Sequence, residues 1–343
     1  MNPELDTESL AGLNEAQRQA VLHFEGPMLV LAGAGSGKTR VLTTRIARLV
    51  EHHGVDPTRI LSVTFTNKAA GEMRDRIARL LGQEPTGMWC GTFHAIGARL
   101  LRSNAAAVGR APNFTIYDED DSIAVIKRVM EAAGISTKAW SAKAIASLIS
   151  DAKNALVTPD EYAALALDPV SRNASVVYRN LEVALRNANA VTFDDLLTLP
   201  VELLSRNEGL RNRLSERFQF ILVDEYQDTN RAQYQFIKLL GGAHSNVVVV
   251  GDDDQSIYGW RGADIRNILD FEREFPAARV VRLEENYRST PNILEVANAA
   301  ISANVGRKGK TLRATRPAGE RVTVVATLDD RDEADWVVEE IMS

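Results

Sequence analysis

The chain has 343 residues, 45% apolar and 25% charged, an ordinary globular composition with room for about two domains and a sizeable core. Its 40 Lys and Arg against 46 Asp and Glu leave a net charge of −6, which excludes a globally basic nucleic-acid coat but not a local basic groove. One cysteine, Cys90, excludes an intramolecular disulfide and a cysteine-based zinc site. In chain order, Met1 to Glu8 is polar and acidic, without the cationic and apolar regions of a signal peptide, and no apolar run approaches the roughly 18–20 residues of a membrane helix. The expectation is a soluble, cytoplasmic protein with no membrane partner.

Met28-Leu-Val-Leu-Ala-Gly33 reads as a buried parallel strand, followed by a helix with Val41, Leu42, Ile46 and Leu49 on one face. Further strands are predicted at Ile60–Thr66, Met88–His94, Phe218–Asp224, Asn246–Gly251, Arg279–Leu283 and Arg321–Ala326, with a helix from Lys68 to Leu81. Strands alternating with helices predict an α/β fold, a doubly wound parallel sheet. Between about Leu100 and Asn189 strand signals give way to Ala- and Leu-rich helical pattern, as in Ser141–Ile149 and Val176–Leu185, which reads as a helical insertion. The acidic run Asp118-Glu-Asp-Asp121 either holds a metal or caps the next helix, and carboxylates at a helix start favour capping. Asn304–Pro317, rich in Gly, Lys and Arg, reads as a loop.

The sharpest chemical signal is Ala32-Gly-Ala-Gly-Ser-Gly-Lys-Thr39, between a strand and a helix, where a P-loop belongs. Gly33, Ala34, Gly35, Ser36 and Gly37 would turn backbone N–H groups toward phosphate oxygens. Lys38 supplies a cation for the β- and γ-phosphates, Thr39 a hydroxyl for Mg²⁺, and the helix N-terminus its partial positive charge. The pattern ordinarily opens on glycine, and here Ala32 stands in that place. A second signal is Ile221-Leu-Val-Asp-Glu225, where Asp224 can hold Mg²⁺ and Glu225 can polarise an attacking water. With the P-loop it makes nucleoside triphosphate hydrolysis the leading reaction. A third is Gly251-Asp-Asp-Asp-Gln-Ser-Ile-Tyr-Gly-Trp-Arg-Gly262, with Gln255 placed to contact a γ-phosphate and Tyr258, Trp260 and Arg261 close behind it. Aromatic faces there can stack on bases, whereas the commoner fate of Trp260 is a core anchor.

Taken in order, these segments resemble the N-terminal part of a UvrD/PcrA/Rep-type superfamily 1 DNA helicase. Leu13-Asn-Glu-Ala-Gln17 is similar to the Q motif, Ala32–Thr39 to motif I, Val63–Ala70 to motif Ia and Gly91–His94 to motif Ib. Phe193-Asp-Asp-Leu-Leu197 matches a further signature, Val223–Asn230 motif II, Val250–Arg261 motif III and Leu283–Thr290 motif IV. The resemblance implies ATP and Mg²⁺ as cofactors, with Gln17 at the adenine edge, Tyr287 stacked on the ring, Arg40 nearby, and Gln255 and Arg288 at the γ-phosphate, Arg288 as an arginine finger. It implies a single-strand groove lined by Phe65, Thr66, Asn67, His94, Tyr258, Trp260 and Arg261. For Phe65 the alternative is core packing, and for His94 a structural role at a strand end.

The implied architecture is a first RecA-like ATP-binding domain over 1–105 and 189–277, a helical insertion subdomain over 106–188, and the start of a second RecA-like domain over 278–343. The implied activity is 3′-to-5′ translocation and unwinding of DNA in repair or replication, on single strands and duplex junctions, with protein partners from those processes. Motifs V and VI of the family lie beyond Ser343, so the expectation for these residues alone is slow ATP hydrolysis without unwinding. A rival reading is an ATP-switched module that binds single strands or a partner without unwinding.

Overall fold

A computed structural model of the chain describes residues 10–343; residues 1–9, from which no signal peptide is expected, lie outside the described residues, as does the side chain of Arg261. The elements follow in chain order. Helix α1 (Glu15–Leu22) precedes β1 (Met28–Ala32), α2 (Lys38–Glu51), β2 (Ile60–Thr64), α3 (Asn67–Leu81), β3 (Trp89–Thr92) and α4 (Phe93–Ser103). The insertion follows, with β4 (Thr115–Tyr117), α5 (Glu119–Ala132), α6 (Ala142–Asn154), α7 (Pro159–Leu165) and α8 (Pro169–Asn187). Strand β5 (Ala190–Thr192) leads to α9 (Asp195–Arg206), α10 (Glu208–Arg217), β6 (Phe220–Val223), α11 (Arg231–Gly241) and β7 (Val247–Gly251). Two short helices, α12 (Arg266–Leu269) and α13 (Phe271–Glu274), lead to β8 (Arg279–Leu283), β9 (Glu285–Asn286), α14 (Pro291–Ile301), β10 (Arg313–Ala314) and α15 (Asp330–Met342).

Six strands form one parallel sheet in the order β3-β2-β6-β7-β1-β8. Strands β1, β2, β6 and β7 are wholly buried, as continuous apolar runs covered on both faces must be. One face carries a core of Leu29, Leu31, Phe93, Val201, Ile221 and Phe236, and the other of Val30, Leu42, Ile46, Met73 and Val248. The α/β parallel sheet is thus as expected. Strand β8, which the sequence reading puts at the start of the second RecA-like domain, pairs with β1 from Met28↔Arg279 to Ala32↔Leu283 and forms the edge of the first sheet.

Three expectations are corrected. The segment Arg321–Ala326 is exposed and irregular, and it pairs with no strand of the described residues. The insertion is not free of strands: β4 pairs in parallel with β5, tying its two ends together. Three residues are too few for the alternation by which a strand is read. Finally, β3 ends at Thr92, whose hydroxyl accepts from Ala95 N–H and caps α4, so His94 lies in a helical first turn and not at a strand end. In the same way Thr66 caps α3, and Asp118 caps α5 by accepting from Asp121 N–H at 2.9 Å.

The insertion has its own core, with Val125, Met130, Ile145, Ile149, Tyr178 and Leu181 packed between α5, α6 and α8. It is rooted in the main domain by a buried ion triad. Lys153 Nζ lies 2.5 Å from Asp195 Oδ1 and 2.7 Å from Glu182 Oε1. Burial pulls the Lys153 ammonium downward, but the two carboxylates outweigh it and hold it well above the ordinary lysine value.

Candidate nucleotide site and strand face

The loop after β1 crosses to α2 through two left-handed glycines, Gly35 (φ 69°) and Gly37 (φ 91°). A Cβ on Gly35 would stand 2.6 Å from Arg288 Cβ, so glycine is what lets the 286–288 segment lie against the loop. Gly37 precedes α2 without a side-chain cap, leaving the first N–H groups of a 14-residue helix free of any capping side chain at the loop. Ser36 is buried, and its hydroxyl donates to Gly33 O at 2.7 Å.

Across the loop, β6 delivers the acids. Asp224 N–H donates to Val63 O at 2.9 Å, carrying the ladder one residue past the strand. Glu225 adopts a left-handed conformation (φ 49°), uncommon for a side chain with a Cβ, and its Oε2 accepts from Lys38 Nζ at 2.9 Å. Burial first and the Glu225 charge second push the Asp224 carboxyl up to about 6, against the opposing pull of Lys38. Asp228 is raised to about 6 by the same two causes, and its Oδ1 is buried without a hydrogen-bond partner. One lysine therefore faces three carboxylates, two of them held reluctantly ionised.

The buried Gln227 links this cluster to the next strand end. Its Nε2 donates to Glu225 Oε2 at 2.9 Å, and its Oε1 accepts from Asp252 N–H at 2.9 Å. Gln255 then donates through Nε2 to Asp252 Oδ2. Among the described residues Asp252, Asp253 and Asp254 are the one acidic group close enough to share an ion, but Lys310 Nζ already fills it, at 2.6, 2.7 and 2.8 Å from the three. Arg307 pairs with Asp254 through two bonds. Arg307 and Lys310 of the predicted loop are thus bound to the Asp252–Asp254 segment.

The segment after β8 clasps the P-loop from above. Asn286 Nδ2 donates to Ala34 O at 2.6 Å, and Tyr287 N–H to Gly35 O at 3.0 Å. Tyr287 Oη accepts from Asn14 Nδ2 at 2.9 Å and donates to Glu285 Oε2 at 3.0 Å. Arg40 reaches Ala11 O at 3.3 Å. The buried Gln17 donates to Ser36 O at 2.8 Å while its Oε1 accepts Asn14 N–H, so in this arrangement its amide braces the loop.

The strand-face candidates lie on three stretches. Phe65 is partly buried, edge-on to Phe93 at 5.8 Å, so core packing accounts for part of its surface. Thr66 and Asn67, at the start of α3, are exposed. His94 stands edge-on to Phe193 at 5.8 Å, and burial lowers its pKa and keeps the ring neutral. Tyr258 and Trp260 lie 6.4 Å apart, and Trp260 is 73% exposed, which excludes a core-anchor role. Arg261 follows them in the same 3-10 turn.

Comparison with known proteins matches residues 13–276 to the UvrD/REP helicase N-terminal domain and 281–343 to the UvrD-like helicase C-terminal domain. The chain belongs to the UvrD/Rep helicase family. It is 46% identical over 330 residues to the ATP-dependent DNA helicase PcrA of Staphylococcus epidermidis, covering 96% of this chain and 45% of that protein. It is 45% identical over 331 residues to the PcrA of Leuconostoc citreum (96% and 44%), and 45% over 330 to that of Staphylococcus aureus (96% and 45%). The chain spans under half the length of these curated relatives.

In this UvrD/Rep domain the residues singled out in the sequence fall into two groups. Gln17, the loop Ala32–Thr39, Arg40, Asp224, Glu225, Gln255, Tyr287 and Arg288 surround the P-loop or join its bonded network. Phe65, Thr66, Asn67, His94, Tyr258 and Trp260 lie apart from it on their own stretches. Residues not singled out individually are Asn14, Gln227, Asn286, Arg307 and Lys310. Asn14 carries a readable signal, since Asn14-x-x-Gln17 is a capping box. Gln227, Arg307 and Lys310 carry none, because their roles are long-range pairings. Phe193, quoted only within a signature, is 51% exposed beside His94. The donor set suits Mg²⁺: Thr39 and Asp224 supply hard oxygens, and the orphaned Asp228 Oδ1 and raised Asp224 mark a site short of positive charge.

Proposed function

We propose that the chain carries the ATP-hydrolysing, strand-gripping half of a DNA translocase and helicase that moves 3′-to-5′, on single strands and duplex junctions, in repair or replication. The observation that carries this reading is the bonded relay Lys38–Glu225–Gln227–Asp252–Gln255, which joins the P-loop to the segment bearing Tyr258 and Trp260. The relatives named ATP-dependent DNA helicase PcrA support it.

In this reading the loop N–H groups and Lys38 bind the β- and γ-phosphates, and Tyr287 stacks on the adenine beside Arg40, with Gln17 bracing the loop below. Thr39 and Asp224 would hold Mg²⁺, which neutralises phosphate charge. Lys38, once drawn to the phosphates, releases Glu225 to accept a proton from the attacking water. Arg288, exposed beside the loop, stabilises charge growing on the transferring phosphoryl group. Gln255 reports the γ-phosphate, and a shift of its segment moves the aromatic residues that stack on bases. His94, neutral by burial, contributes a stacking face beside Phe193 rather than a charge.

The test is the ATPase rate of the 343-residue chain with and without a poly-thymidine oligomer, at low salt with Mg²⁺, beside Lys38→Ala. Strand stimulation that vanishes in the variant is expected. An unstimulated rate with intact nucleotide binding would sink the coupled reading.

A further inference from the structure

Beside the Lys153 triad and a Ser150 hydroxyl that donates to Asp194 Oδ1 at 3.1 Å, the insertion makes a polar contact with the nucleotide domain that neither the P-loop nor the strand face explains. It is made by Asn154, the last residue of α6. Its Oδ1 accepts from Asn230 Nδ2 at 2.6 Å. Its Nδ2 donates to Ser150 O at 2.9 Å and to Asp194 Oδ1 at 3.2 Å. A Cβ placed on Gly262 would stand 3.5 Å from Asn154 Cβ.

Outside α6, Asn230, Asp194 and Gly262 each adjoin a functional segment. Asn230 closes the stretch that begins at Asp224 and caps α11 through a reciprocal bond pair with Gln233. Asp194 follows the exposed Phe193, and Gly262 follows Tyr258, Trp260 and Arg261. The segment after Gly262 is tied back to the acid stretch, with Asp264 N–H donating to Thr229 O at 2.9 Å and Asn267 Nδ2 to the same oxygen at 2.9 Å. Next to Asn154, Lys153 locks α6 to Asp195, one residue past Asp194. The end of α6 is therefore a fixed post, and a two-sided amide on it bonds Asn230 on the nucleotide side and the residue after Phe193, with the Gly262 turn close to its Cβ.

We propose that Asn154 is a positioning residue that couples nucleotide binding to strand binding, by holding Asn230 and Asp194 in one register beside the Gly262 turn. The inference rests on the function proposed above and adds the insertion as a working part of it. An apolar side chain at 154 leaves each binding surface formed but removes the amide bonds that link Asn230 to Asp194. Coupling is a free energy shared between two sites, so it is read as the factor by which one ligand changes affinity for the other.

The experiment measures the affinity of the 343-residue chain for a fluorescent thymidine oligomer with and without a saturating non-hydrolysable ATP analogue and Mg²⁺. The wild-type chain is expected to show a factor of about five or more. In Asn154→Ala each single-ligand affinity stays within about twofold of wild type, while the factor falls to within about twofold of one. Thermal melting verifies folding, and Asn154→Ser, too short to reach Asn230, decides the matter if the alanine variant does not fold. A variant that keeps the wild-type factor overturns the proposal. So does a loss of strand affinity with the factor retained, which would make Asn154 part of the binding surface. A wild-type chain that binds both ligands with a factor of one overturns the coupled function itself, and the inference with it.

Discussion

The P-loop end and the root of the insertion each hold a shielded lysine among carboxylates, yet they are built for different ends. At the root, Lys153 meets Asp195 and Glu182 at 2.5 and 2.7 Å, and its charge is held firmly. At the P-loop, Lys38 meets Glu225 alone at 2.9 Å, while Asp224 and Asp228 sit nearby with carboxyls raised to about 6. The first cluster is satisfied and joins two structural parts. The second is left short of positive charge, and a divalent cation carried in with a phosphate chain is what would complete it. Lys310 among Asp252, Asp253 and Asp254 is of the first kind, which is why that acidic trio is no metal site.

The contrast can be broken by exchanging roles. Lys153→Met should give the largest effect, since it strands two buried carboxylates; a loss of about 3–5 kcal/mol in unfolding free energy is expected, read by denaturant titration. Nucleotide affinity of the folded fraction should be unchanged, and a variant of wild-type stability would show that the triad does not anchor the insertion. Lys38→Ala should do the reverse. ATP hydrolysis should fall about 10²–10³-fold, while stability moves by less than about 1 kcal/mol because Glu225 is reachable by water. Equal damage to stability from both variants would erase the distinction.

Trp260→Ala sharpens the comparison from the strand side. Removing one exposed stacking face should weaken poly-thymidine binding by about 1–3 kcal/mol and leave nucleotide affinity alone, as a fluorescence titration would show. The smallest effect is in pH. Asp224 titrates near 6 when folded against an ordinary 3.8, so its contribution to stability is full below about 3.8 and is lost as pH rises through about 6. Asp224→Asn should therefore melt higher than wild type at pH 7, with the gap closing toward pH 4. Mg²⁺-dependent nucleotide binding by the wild type should weaken below about pH 6, as protons compete for the same oxygens. A pH-independent gap in melting would contradict the raised carboxyl.

Much of this was legible in the sequence because the signals are local. The run from Met28 to Thr39 contains a strand, a glycine turn and a helix start, and each is determined by neighbours within a few residues. The parallel sheet follows from Val247–Gly251 and its sister runs, apolar throughout because both faces are covered. Errors came where the deciding partner lay far off. Arg321–Ala326 alternates as a strand should but pairs with no strand of the described residues, and Thr115–Tyr117 is a strand only because Ala190–Thr192 returns beside it. His94 falls outside β3 for a local reason instead: the Thr92 hydroxyl caps α4 and ends the strand two residues before it.

The sequence by itself therefore determined the nucleotide loop, its acids, the order of motifs and the class of fold, since backbone conformation and strand burial follow from short-range pattern. Only the tertiary structure decided which carboxylates are satisfied and which stay open, that Arg279–Leu283 joins the first sheet, and that Lys310, Gln227 and Asn154 bridge segments up to 76 residues apart. Those outcomes depend on charges and amides meeting in a buried, low-dielectric setting, and no linear spacing encodes which of them meet.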